Sequence, residues 1–129
     1  MSDTKKVMLA DLHDEHKKWT SQLAFCKDEV DVFESRLSDL VQRFTAQKVL
    51  AEIERFQNQF IRQKEVIDIL KHKIGEKHRS LELFSRKNPR LTELPVHNDQ
   101  DGLREEMADF LRIYKSLKKD YNKLLLKLL

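Results

Sequence analysis

Apolar residues recur in this chain at alternating steps of three and four over most of its length, and that spacing limits the fold more than any other property. The first series is Leu9, Leu12, His16, Trp19, Leu23, Cys26, Val30, Phe33, Leu37, Leu40 and Phe44. It is an unbroken heptad seam, the narrow stripe of a long helix that packs lengthwise on partner helices. His16 is its one strongly polar member.

A second series follows in a different phase: Val49, Ile53, Phe56, Phe60, Gln63, Ile67, Leu70, Ile74, Lys77, Leu81 and Phe84. Continuing the first seam would place Gln47, Ala51 and Glu54 in the core, two residues out of step with the apolar residues present. A continuous coiled coil absorbs insertions of three or four residues, not two. A turn at Thr45 to Gln47, capped by Thr45, is therefore expected. The second helix should stop near Lys87, because Asn88 precedes Pro89 and is pushed out of helical geometry. Gly75 weakens its outer face without breaking it. Residues 88 to 100 hold both prolines and read as a loop. A third seam, Leu103, Met107, Phe110, Tyr114, Leu117, Tyr121, Leu124 and Leu128, opens after cap candidates Asn98, Asp99 and Asp101.

These seams predict an all-α fold with no strand. It is a single domain over residues 1–129, an antiparallel up-down-up three-helix bundle with coiled-coil-like packing and helices at about 5–44, 47–87 and 100–127. Ser2, Asp3 or Thr4 would cap the first helix. With 36% charged residues and two glycines and two prolines in 129 residues, the chain is neither disordered nor rich in turns. No apolar run reaches the roughly 18 residues that cross a bilayer, and Met1 to Lys6 does not read as a signal peptide, so a cytoplasmic location is expected. Cys26, the single cysteine, reads as a small buried hydrophobe.

The net charge of +3 is unevenly spread. Asp28 to Glu54 holds seven acids against three bases; Phe110 to the end holds six bases against Asp120. In an up-down-up bundle these regions face each other, which accounts for the basic stripe within the molecule and argues against nucleic acid. The run Leu124, Leu125, Leu126, Leu128, Leu129 is wider than one seam needs. Leu124, Leu125 and Leu128 are thus candidates for self-association or for a protein partner, in preference to a membrane.

Motifs that carry chemistry are scarce. Two glycines exclude phosphate-cradling loops. His97 to Gly102 imitates the start of a calcium loop but has Ala108 where the bidentate glutamate belongs. His13-Asp14-Glu15-His16 lacks zinc-protease spacing, and Ser116 to Lys119 lacks the context of a serine nucleophile. The histidines are more suggestive. With Phe44 opposite Val49, His16 lies across from Lys77 and His78, His13 shares its face, and the loop with His97 closes the same end. His13, His16, His78 and His97 are therefore the candidate ligands of a zinc or iron ion, set against a reading as ordinary polar residues. Gln63, on the second seam, is expected to fix register against Glu29.

Two segments, Leu12 to Trp19 (LHDEHKKW) followed by Phe25, and Glu54 to Phe60 (ERFQNQF), resemble a family of short, uncharacterised bacterial helical proteins over the first two helices. That family often has a histidine where this chain has Arg55, a departure that weakens any metal role at that position. The resemblance implies a helical fold and no particular activity. Two expectations follow for function: a non-catalytic helical-bundle scaffold or protein-interaction module without a cofactor, or a metal-binding bundle that uses the histidine cluster.

Overall fold

The computed structural model describes the backbone of residues 5–96 and 98–129, and side chains from 8 to 92 and from 102 to 129. Three long helices, α1 (Leu9–Arg43), α2 (Gln47–Lys87) and α3 (Asn98–Leu128), form an antiparallel up-down-up bundle. At 1.5 Å per residue they are roughly 45 to 60 Å long. Every buried residue among those described lies on one of the three seams. The core is a column that takes about one side chain per helical turn from each helix. Part of it is aromatic: Tyr121, fully buried, packs on Phe33 at 4.6 Å and on Phe60 at 5.4 Å between ring centres.

The reversal between α1 and α2 falls at residues 44–46. Phe44 and Ala46 are both extended, and Ala46, not Thr45, stands at the N-cap without a side-chain hydrogen bond. At the other end of α2 the expected stop is where it was placed. Asn88 closes the helix twice over, its backbone N–H and its Nδ2 each donating to Phe84 O at 3.0 Å. A turn follows, in which Leu91 N donates to Asn88 O.

The expected start of α1 near residue 5 is corrected, and so is the expectation of no strand. Lys5–Met8 (β1) pairs antiparallel with Glu93–Val96 (β2), Lys5 opposite Val96 and Met8 opposite Glu93. Pro95 is tolerated because a two-stranded ribbon is all edge. The ribbon also serves α1, whose first amide, Leu9 N, donates to Thr92 O at 2.8 Å in place of a side-chain cap. Ser2, Asp3 and Thr4 lie outside the described residues, and so do the side chains of Asn98, Asp99 and Asp101.

Polar contacts hold α3 in register on the other two helices. Arg104 Nε reaches Glu15 at 3.0 Å, Lys73 meets Glu106 at 2.6 Å, and Lys127 meets Glu52 at 3.1 Å. Between them Glu29 accepts from Tyr114 Oη at 2.9 Å and from Lys118 Nζ at 2.6 Å. The expected facing of acidic and basic regions is realised at Glu29 and Glu52. The expected pairing of Gln63 with Glu29 is not: α3 offers Glu29 a cation and a hydroxyl, better partners for a carboxylate than an amide. Gln63 stays buried, with its Oε1 lacking a hydrogen-bond partner.

Three substitutions test this packing by chemical denaturation. Phe60→Ala should cost about 3–5 kcal/mol, because it empties the fully buried aromatic centre. Gly75→Ala should add about 1 kcal/mol, since an added Cβ there meets nothing within 4 Å and the backbone is helical. Gln63→Leu should add about 1 kcal/mol by removing a buried carbonyl with no donor.

Candidate functional site

The ribbon end of the bundle gathers the start of α1, the last turns of α2 and the first turns of α3. A spacing of three puts His13 and His16 on one face of α1, and the antiparallel register brings His78 across from them. Their ring centres lie 5.1 Å apart for His13 and His78 and 6.2 Å apart for His16 and His78. His13, His16, Lys17, Thr20, Ser21 and His78 line a hollow of about 230 Å³. Three of the four histidines read from the sequence therefore share one site. His97 lies outside the described residues. His72 points outward and lies 3.9 Å from Glu76 on its own helix.

The three rings differ in setting. His16 is buried and packs on Trp19 with ring centres 5.8 Å apart and planes tilted by 36°. Its proton affinity is lowered, first by burial and then by the His78, His13 and Lys77 charges, with Glu15 opposing. His13 is exposed. His78 is half-buried, and its Nε2 lies 3.1 Å from Glu82 Oε1 one turn further along α2. The reading of the histidines overlooked Glu82, although its i,i+4 spacing from His78 is visible in the chain. Arg104 was beyond such reading, because its contact with Glu15 joins residues far apart in sequence.

Among the described residues no group of three His, Cys, Asp or Glu side chains is arranged to hold a metal ion. The acids of the first turns of α3 stand outside the cluster: Glu106 pairs with Lys73, and Glu105 is exposed. Lys73, Glu76, Lys77, Leu103 and Glu106 line a larger groove of about 670 Å³ between α2 and α3, open to solvent. Cys26 is buried, and burial with the nearby Glu29 charge raises its thiol pKa, so it stays protonated. No helix of the described chain is long and apolar enough to cross a membrane.

Compared with known protein families, curated proteins and solved structures, the chain matches none.

The setting of His16 sets a pH dependence. Its folded pKa lies below the ordinary 6.5, so the unfolded chain binds this proton more readily. The stability it protects is complete well above pH 6.5, declines as pH falls through that value, and levels off below the folded pKa. The slope should not exceed about 1.4 kcal/mol per pH unit for one proton. Urea unfolding from pH 8 to 5 with a chelator present should show this loss, and His16→Leu should flatten it. Unchanged slopes in that variant would assign the effect to other groups.

Proposed function

We propose that the protein is a non-catalytic helical-bundle scaffold, an interaction module that acts through its outer faces and associates first with copies of itself. The observation that carries this reading is that, among the described residues, the seams take up every buried position, while the hollow between α2 and α3 is an open groove. An enzyme of this size usually keeps an enclosed pocket with convergent polar groups.

The outside is more distinctive. On α3, Lys115 and Lys119 make no ion pair among the described residues, and Leu126 and Leu129 beyond them are 77% and 85% exposed. The neighbouring leucines are engaged within the bundle: Leu124 is buried, and Leu125 and Leu128 pack against the core. Association through the leucine run would therefore use Leu126 and Leu129, flanked by Leu125 and Leu128. On α1, Phe25 and Val32 are exposed beside Asp28. Phe25 and Val32 stand one turn before and after Glu29, and Lys115 stands one turn before Lys118, so both faces border the line of contact between α1 and α3 that Glu29 and Lys118 bridge. A two-fold axis along the bundle would lay the α1 face of each copy on the α3 face of the other, matching acid to base twice.

Sedimentation velocity at rising protein concentration tests this. A reversible dimer is expected, weakened by high salt, by Leu126→Asp and by Lys115→Glu with Lys119→Glu. A chain that stays monomeric at every concentration in low salt would overturn self-association.

A further inference from the structure

His13 and His78 belong to different helices, yet their ring centres are 5.1 Å apart. A tetrahedral zinc ion held by two imidazole nitrogens at 2.0–2.1 Å sets its ligand rings about 5 Å apart, centre to centre. The pair thus has the separation of two ligands of one ion without displacement of either helix. We propose that His13 and His78 bind a divalent cation of zinc type, which joins α1 to α2 at the ribbon end.

A second observation concerns orientation. His78 Nε2 is 3.1 Å from the Glu82 carboxylate. An imidazole that donates Nε2–H to a carboxylate presents the lone pair of Nδ1 to a metal, and the carboxylate makes that nitrogen a stronger donor. Glu82 is accordingly a positioning residue, one shell out from the ion. The ring of His16 lies 6.2 Å from that of His78, about 1 Å wider than a shared tetrahedral ion permits. Among the described residues no third donor converges, so water fills the remaining positions and the site is weaker than a four-ligand structural one. Lys17 lines the same hollow, and its flexible stem leaves room for the ion when the ammonium turns to solvent. An imidazole set favours zinc, copper or nickel, while the carboxylate-rich set that iron takes in helical bundles is missing from this hollow. This inference stands apart from self-association and survives if the protein proves monomeric.

The test is calorimetric titration of untagged, chelator-treated protein with zinc chloride, paired with thermal unfolding. Wild type should take up one zinc per chain and melt at a higher temperature with zinc than without. His13→Ala and His78→Ala should each weaken binding at least tenfold and remove the thermal shift. Glu82→Gln should weaken it about tenfold. His72→Ala should change nothing. His13 and Glu82 are exposed, so their variants keep the core, and circular dichroism verifies this. The proposal is overturned by wild type that neither binds zinc nor shifts its melting. It is equally overturned by His13→Ala that binds as tightly as wild type, or by loss of binding in His72→Ala. Stabilisation by inorganic phosphate in place of zinc would make the cluster an anion site and overturn it as well.

Discussion

Lengthwise burial of a one-residue-wide stripe on each helix is the constraint from which the rest of this structure follows. A seam with steps of three and four gives the core about one side chain per turn, and three such seams close a column with little room to spare. Large aromatic rings thicken it near Tyr121, where Phe33, Phe56 and Phe60 meet, and again where Phe110 stacks on Tyr114. Among the described residues, a core of that shape is filled by the side chains of the seams themselves. It also makes polar members of the seams conspicuous, because each occupies a place an apolar residue would fill. Gln63 interrupts the column at mid-length, and His16 interrupts it next to the ribbon, where two further imidazoles stand close by.

Most of the helical architecture was legible in the chain because the information is local and repeated. The phase jump between Phe44 and Val49 located the reversal, Pro89 located the end of α2, and each buried residue fell on a seam already visible in the spacing. What could not be read depends on partners distant in sequence. The ribbon pairs segments of four residues, each too short to signal a strand alone, and one carries a proline. Glu29 could be matched to Gln63 by register, but its actual partners on α3 required knowing how the third helix is set against the first. Capping failed for a related reason: the backbone at Thr92 answers the first amide of α1, and no sequence pattern encodes that. Of the histidine cluster, three members were placed correctly by the antiparallel register alone, and the Glu82 contact with His78 was a local pair overlooked.

Charge has two duties here. Some ion pairs fix α3 in position, as Arg104 with Glu15, Lys118 with Glu29 and Lys127 with Glu52 do along its length. Others tie α1 to α2, among them Lys64 with Asp31 and Glu34, both at 3.1 Å. Pairs so exposed contribute little stability singly, but each penalises a shift of one helix past another, because a displaced lysine loses its acid. The hydrophobic seams supply the attraction, and the charges select among registers that the seams alone would nearly tolerate.

The β1–β2 ribbon has a consequence for assembly during synthesis. Its two strands are separated by the whole of α1 and α2, so β1 cannot pair until Val96 has left the ribosome. The helical hairpin is local and closes early, whereas the ribbon waits on a long loop closure. The β1 segment is thus secured later than the helical hairpin that follows it, and the end of the bundle that carries the histidines is completed only once β2 has emerged.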